Sequence, residues 1–420
     1  MTFYLEQGYN GRKVCGNNSV NSFKESFTMI CIGIDVAKDK HDCCILNSDG
    51  EILRDVFTFP NTADGFDMLY RAITDAIPDA DFKHLRIGLE ATGHYNVNLV
   101  AFIRSRGLEP VVFNPLAINL FRKAQTLRKT KTDKTDARFI AAMLLSQPSS
   151  PCAPVSYHIS ELKVLTRSRS RLVSQRSRLK TSLSRLLDVI FPELTGIVWS
   201  CNQKSVLALL LELPNPAAIA ACHLTRLTNI LFKGSHGRYG KPKAVTLKTL
   251  AARSIGSNSP AMAFELQQTI RLILNIKQEI DLLDRQIRLA VDELTSPLIT
   301  IPGISYTLAA IILAEIGDIA RFDSPAKLLA FAGMEPSIYQ SGKFNASHTP
   351  MVKRGSTYLR WALLQAARLV SMRDKCFRDF LLKKKAEGKH FNIALTHVGK
   401  KLVRVIFHIL KTGNAFVPQA

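Results

Sequence analysis

Acidic residues are what this 420-residue chain has too few of: 34 Asp+Glu stand against 56 Lys+Arg, a formal net charge of +22. A deficit of that size argues against a polycationic partner and favours a polyanionic one. Paired cysteines are also lacking. The eight cysteines, at 15, 31, 43, 44, 152, 201, 222 and 376, form no C-x-x-C motif, and none of the ten histidines lies at zinc-finger spacing from them. That pattern excludes a zinc finger and a disulfide framework, and leaves small buried hydrophobes in a reducing cytosol. Nor does any apolar run approach the ~18 residues that cross a bilayer. The longest candidate, Thr307 to Ile316, is interrupted by Glu315. The first 28 residues hold no signal-peptide core and are rich in Asn, Ser and Gly, so 1–28 reads as a loose N-terminal extension, with Met29 as an alternative start.

What is present is unevenly spread. Residues 1–150 carry 18 Lys+Arg against 17 Asp+Glu, and residues 151–420 carry 38 against 17. A near-neutral first third followed by a strongly basic remainder suggests a chemical module joined to a nucleic-acid-binding body. With 46% apolar residues, the chain is long enough for two or three domains with their own cores.

The stretch Cys31-Ile32-Gly33-Ile34-Asp35 ends an apolar run on a carboxylate. A central strand buries both faces, so an acid is tolerated only near its end, where it reaches solvent or a cation. A second run, Asp42 to Asn47, a turn at Ser48-Asp49-Gly50, and a third run, Ile52 to Phe59, predict an antiparallel hairpin. Helical spacing follows over Asp64 to Ile77, then a strand Leu85 to Glu90, a helix Tyr95 to Arg106, a strand Pro110 to Phe113 and a helix Leu116 to Leu127. This order is that of an RNase H-like sheet, in which the first strand lies beside the fourth. Glu90 would then stand next to Asp35 at the carboxyl edge, where open α/β sheets gather their functional groups. The segment Lys131-Thr132-Asp133-Lys134-Thr135-Asp136 adds two acids one helical turn apart. Four carboxylates of this kind make a hard oxygen site suited to Mg²⁺ or Mn²⁺. The same two aspartates also fit a helix cap and an ordinary ion pair.

A Pro- and Ser-rich boundary at 148–156 closes a domain over 29–150. Apolar residues from Leu162 to Ile190 then follow the 3-4 spacing of a coiled-coil seam, and Arg167, Arg171 and Arg178 lie on the same segment as candidate phosphate contacts. A second seam, Ile273 to Ile287, fits either an antiparallel partner for the first or a contact with another subunit. Together with a basic insertion these define a region over 156–294. Within it, Lys233 to Lys241 reads as a basic loop, either a nucleic-acid contact or a linker. The last domain, 295–420, opens on Ile301-Pro302-Gly303-Ile304, the turn of a helix-hairpin-helix, which would aim backbone amides near Gly303 at a phosphate. Lys343, Lys353 and Arg354 are further candidate phosphate contacts.

Ile32-Gly33-Ile34-Asp35-Val36-Ala37-Lys38, Glu90-Ala91-Thr92-Gly93, Lys131-Thr132-Asp133-Lys134-Thr135-Asp136-Ala137, and the run from Ile301-Pro302-Gly303 through Gly333-Met334-Glu335-Pro336 to Gln340-Ser341-Gly342-Lys343 occur in this order. Together they resemble the DEDD transposases of insertion sequences, the IS110 family, related to Piv-type DNA invertases. The resemblance covers roughly residues 30–410. It implies a RuvC-like metal domain, a coiled-coil hairpin and a mainly helical C-terminal transposase domain. Its four acids carry over to Asp35, Glu90, Asp133 and Asp136, and its serine nucleophile to Ser341, with Ser337 and Ser347 as neighbours. It implies donor and target DNA and a bridge RNA as partners, a homo-oligomer (dimer or tetramer), no membrane, and a bacterial cytoplasmic, nucleoid-associated setting. A RuvC-like nuclease that uses water, or an inactive nucleic-acid-binding relative, would share most of these residues.

Overall fold

The computed structural model describes residues 29–77, 82–91, 93–125, 133–146, 157–337, 340–341, 344–345 and 350–418. The chain divides into two units, residues 1–153 and 154–420.

The first unit is built on a five-stranded sheet: β1 (Ile30–Val36), β2 (Lys40–Leu46), β3 (Ile52–Pro60), β4 (Leu85–Glu90) and β5 (Pro110–Phe113), in the order β3-β2-β1-β4-β5. β1 pairs antiparallel with β2 and parallel with β4, so the first strand does lie beside the fourth. The turn from β2 to β3 is fastened by Asn47, whose Oδ1 accepts from Asp49 N and Glu51 N while Gly50 takes φ +82. A residue with a Cβ would be strained at that φ.

Strand alternation sorts the two faces. Ile32, Ile34, Ile87 and Leu89 pack with Phe66, Leu69 and Ile73 of α1 (Ala63–Ala76) and Leu99 and Ile103 of α2 (Asn96–Ser105). Cys31, Val111 and Phe113 face the other way, against Ile118 of α3 (Pro115–Gln125) and Ile140, Met143 and Leu144 of α4 (Asp133–Ser146). Gly33 shares that face. A Cβ there would stand 2.2 Å from Ala137 O and 2.3 Å from Ala141 N, so the bare glycine is what lets α4 lie on the strand.

The second unit is mainly helical. α5 (Tyr157–Ile190) and α11 (Pro260–Glu293) each run 34 residues, roughly 50 Å at 1.5 Å per residue. The start of α5 packs against the end of α11 (Leu162 with Ile287 and Val291), and its end against the start (Leu183 and Leu187 with Leu266 and Ile270). The two seams therefore form an antiparallel hairpin, clasped by Arg169, whose Nε lies 2.6 Å from Asp284 Oδ1.

Between them α6 (Leu194–Ile197), α7 (Lys204–Glu212), α8 (Pro216–Ala221), α9 (Leu224–Ser235) and α10 (Lys241–Ala252) close around one end of the hairpin. Of the expected loop at Lys233 to Lys241, only the two ends are helical. Only His236 to Gly240 connects α9 to α10, and Tyr239 turns inward to donate to Gln203 Oε1 at 2.8 Å. Gly234, near the end of α9, lets the helix lie against α7: a Cβ there would stand 2.6 Å from Ser205 Cα.

At the other end of the hairpin lie α12 (Tyr306–Ile316), α13 (Pro325–Phe331), two short strands β6 (Gln340–Ser341) and β7 (Phe344–Asn345), α14 (Thr357–Arg373), α15 (Lys375–Ala386) and α16 (Phe391–Thr412). α12 is buried from Leu308 to Ile316 and forms the centre of this core. No described helix is long and apolar enough to cross a membrane.

Candidate functional site

The acids of the first unit are set out by β1, β4 and α4. Ile34 is the register partner of Leu89, and the next residue along each strand is Asp35 on β1 and Glu90 on β4. Both are half-buried and sit one step past the buried isoleucine and leucine, so by alternation both belong to the α4 face of the sheet. α4 runs antiparallel to β1: Ile140 and Leu144 share a cluster with Cys31, and Ala137 and Ala141 lie over Gly33. Its first turn, which begins at Asp133 and contains Asp136, is thereby directed to the carboxyl ends of the strands. The side chain of Asp133 lies outside the described residues.

Asp136 is 5% exposed, and Arg122 Nη1 on α3 donates to its Oδ1 at 3.1 Å. Arg122 is itself oriented by Asn119 Oδ1 at 3.1 Å. The ion pair is the ordinary explanation of a buried aspartate, which needs a cation beside it to stay charged. Sequence reading did not single out Arg122, because the α3 pattern marks it only as one of two basic residues in a last turn.

A fifth acid was also missed. Asp42 on β2 is the direct cross-strand partner of Asp35, is 4% exposed, and accepts from Thr58 Oγ1. Like charges directly opposite on one sheet face destabilise it unless something compensates. In the sequence Asp42 looked like a strand-start residue; only the β1-β2 register brings it to Asp35. Among the described residues no three of His, Cys, Asp or Glu stand close enough to form a metal-binding group. By chemistry and by face, the carboxylates of Asp35, Glu90 and Asp136 are nonetheless donors of the type a hard divalent cation takes.

In the second unit, Ser341 belongs to β6 and is paired in register with Phe344 of β7. The side chain of Ser341, and Lys343 and Ser347 entirely, lie outside the described residues. The base of this segment is fastened by backbone hydrogen bonds. Ser337 N donates to Pro350 O at 2.8 Å and Val352 N to Glu335 O at 3.0 Å, with Pro336 bridged to Met351. Gly333 and Gly355 close it: a Cβ on either would meet a backbone oxygen at 2.0 Å, Arg354 O and Phe331 O respectively. Arg360 Nη1 reaches both Ala332 O and Lys353 O at 3.2 Å.

The base is anchored to the long hairpin through a buried acid. Glu315, 4% exposed on α12, accepts from Arg167 Nε at 2.7 Å, Arg167 Nη2 at 3.0 Å and Ser356 Oγ at 2.7 Å. Ser356 in turn caps α14, accepting from Leu359 N at 3.1 Å. Burial pushes the Glu315 carboxyl up, but the bonds from Arg167 and Ser356 outweigh it, and the net direction is below the ordinary carboxylate value. Arg167, read from the sequence as a phosphate contact, is thus committed to Glu315, because an acid inside an apolar helix is retained only with a charge partner. Arg171 and Arg178 are exposed on α5, as are Lys353 and Arg354 beside the serine segment. Gly303, with φ +96, has a packing reason of its own: a Cβ there would lie 2.8 Å from the Leu369 carbonyl carbon of α14.

Comparison with known proteins finds matches in both units of the chain. A model of DEDD transposases, described as "Transposase", matches residues 32–192, and the model of the "Transposase IS116/IS110/IS902 family" matches residues 295–382. The chain is similar to the insertion element IS116 uncharacterized 44.8 kDa protein of Streptomyces clavuligerus, 25% identical over 403 residues, 93% of this chain and 96% of that one. It is similar to the insertion element IS900 uncharacterized 42 kDa protein of Mycobacterium paratuberculosis, 25% identical over 393 residues, 92% and 96% of the two chains. It is also similar to the pilin gene-inverting protein of Moraxella bovis, 23% identical over 390 residues, 92% and 97% of the two chains. With both of its ends matched by transposase models and nearly its full length aligned to insertion-element proteins, the chain belongs to the IS116/IS110/IS902 family of transposases.

Proposed function

We propose that this transposase cleaves and rejoins DNA through a serine-DNA ester, with a divalent cation held by Asp35, Glu90, Asp133 and Asp136, and that a bridge RNA selects the sites. The observation that carries the reading is the stacking of α4 on the Gly33 face, which puts the first turn of α4 at the same sheet edge as Asp35 and Glu90. On this reading the sheet is RNase H-like and the Pro302-Gly303 turn belongs to a helix-hairpin-helix. Oxygen ligands of this kind suit Mg²⁺ or Mn²⁺, which would stabilise charge developing on a phosphoryl group.

The chain's own residues do the rest. Ser341 Oγ attacks the scissile phosphorus and gives up its proton. An Oγ–P bond forms as one P–O bond of the backbone breaks, and the departing oxygen is protonated to a free hydroxyl. Because the ester keeps the energy of the original linkage, that hydroxyl or another strand's can reverse the step without a nucleotide cofactor. Lys353 and Arg354, exposed beside the serine segment, are placed to neutralise phosphate. Arg171 and Arg178 extend the basic surface along α5.

Incubating the protein with its element ends and Mg²⁺ and trapping denatured adducts tests this. The expected result is a covalent protein-DNA species absent from Ser341→Ala and from Asp35→Ala. Free cut ends that persist in Ser341→Ala would instead establish a water-using nuclease. Sequencing RNA that co-purifies with the protein tests the guide, and absence of RNA encoded beside the gene would remove it.

A further inference from the structure

A cavity of about 480 Å³ opens in the second unit between the start of α15, one face of α16 and the residues that follow α16. Its floor and walls are apolar, with Phe377, Ile409 and Phe416 among them, and its basic lining comes from Lys401, Arg404 and His408. The chain after α16 forms one wall because Gly413, with φ 72, turns it back, and because Phe416 N donates to Thr300 Oγ1 at 2.8 Å. Lys401 is held in place: its ammonium lies 5.1 and 5.2 Å from the ring centres of Phe377 and Phe380, and its Nζ donates to Cys376 Sγ at 2.9 Å. The one carboxylate in the lining, Asp374, is 6% exposed and already spent as the cap of α15, accepting from Phe377 N at 3.0 Å.

An apolar chamber with an uncompensated basic lining fits a flat aromatic group that carries a phosphate. The charge also continues past the chamber. Lys400, Lys401, Arg404 and Lys411 fall on one ~100° arc of α16, so positive groups extend along the helix on both sides of the opening. A single small anion would need no such track, whereas a strand with phosphates on either side of one base would. We infer that this cavity takes up the base of an unpaired nucleotide of a polynucleotide, stacked on the half-buried Phe416 over an apolar floor that includes the buried Phe377, with the flanking phosphates on Arg404 and the basic arc. The site is assigned by its own lining, and it rests on the proposed function only for the premise that a nucleic acid is the partner.

The test compares single-stranded thymidine and uridine homopolymers with abasic strands of the same length and charge, using the full chain. The expected preference for a base-bearing strand is about tenfold, the scale of one base-aromatic stack. Phe416→Ala should remove that preference while leaving abasic binding unchanged. Arg404→Glu, at an exposed position, should weaken base-bearing and abasic strands alike. A single 4-thiothymidine or 4-thiouridine should photocrosslink within residues 401–417, and whichever strand does so identifies DNA or RNA as the source. Equal affinity for base-bearing and abasic strands, or a crosslink elsewhere, overturns the assignment. A base preference that survives in a protein forming no serine adduct would sink the proposed chemistry and keep this site. Adduct formation without any base preference would do the reverse.

Discussion

Arg122 on α3 and Asp136 in the first turn of α4 are joined by a 3.1 Å contact between Nη1 and Oδ1, with the side chains 22% and 7% exposed. The guanidinium therefore stands where a cation bound to Asp136 would draw on the same carboxylate. Arg122→Ala takes a cation away from a buried acid and should cost about 2 kcal/mol in metal-free buffer. If Asp136 is a ligand, Mg²⁺ or Mn²⁺ should raise the melting temperature of Arg122→Ala by several degrees more than that of the wild type. Equal shifts in the two proteins, read by thermal unfolding with and without chelator, would remove Asp136 from the ligand set.

Gly33→Ala tests the placement of α4 itself. The added methyl would collide with backbone atoms of Ala137 and Ala141 rather than with a yielding side chain. We expect a loss of about 3 kcal/mol or more, above the usual cost of overpacking, together with faster amide exchange through α4. Gly50→Ala, with open space around its Cβ and only its φ to strain, should cost about 1 kcal/mol and leave α4 protected. The comparison separates backbone contact from turn strain.

Glu315 should make stability depend on acid. Its carboxyl lies below the ordinary 4.5 in the folded chain, so the unfolded chain takes up its proton first as pH falls. The contribution is complete above about 4.5 and is lost as pH drops through the folded value. Arg167→Ala strips the paired guanidinium from a carboxylate whose side chain is 2% exposed and leaves it the Ser356 hydroxyl. The loss should be about 2 to 3 kcal/mol, below the full buried-pair range because the Arg167 side chain is 40% exposed. Glu315→Gln should flatten the acid limb of the urea-unfolding profile, and an unchanged limb would show that another group sets it.

His41 governs a higher window. It is fully buried between Phe59 and Phe66, at ring-centre distances of 5.2 and 6.0 Å. Burial holds its pKa below 6.5, with Asn61 and the Asp42 charge opposing. The folded chain thus keeps a neutral ring where the unfolded chain gains a proton, so stability should decline as pH falls below 6.5 and level off once the folded value is passed. His41→Leu should abolish that decline between pH 6.5 and 5.

The buried thiols should be chemically silent. Burial pushes Cys31 up to about 11, against a small opposing effect of Arg86, and raises Cys43 and Cys44 as well. A two-unit shift leaves ~100-fold less thiolate at neutral pH. Iodoacetamide should label these three only after denaturation, while half-buried Cys376 is modified in the native chain; early labelling of Cys31 by mass spectrometry would contradict the packing of β1.

Strand order and the two long seams were legible in the sequence because each rests on a short-range pattern. Alternation, a Gly-containing turn and an acid at a strand end mark β1, β2 and β4, and the 3-4 spacing of leucines marks α5. The basic stretch from Lys233 to Lys241 was legible as a loop at its centre, His236 to Gly240, but not at its start, where α9 runs on to Ser235 with Gly234 fitted against Ser205, a residue 29 positions away. Charge was the weakest guide. Arg167 and Arg171 look alike in sequence, yet one is bound to Glu315, 148 residues on, and the other faces solvent.

The sequence by itself determined which strands end on Asp35 and Glu90 and where the long helices run, since these follow from neighbours in the chain. Only the tertiary structure decided that Asp42 faces Asp35, that Arg122 holds Asp136, that the two seams pair with each other and that Lys401, Arg404 and His408 surround a cavity. Each of those depends on register and packing between segments far apart in sequence, where one residue's shift would send the same side chain to the opposite face.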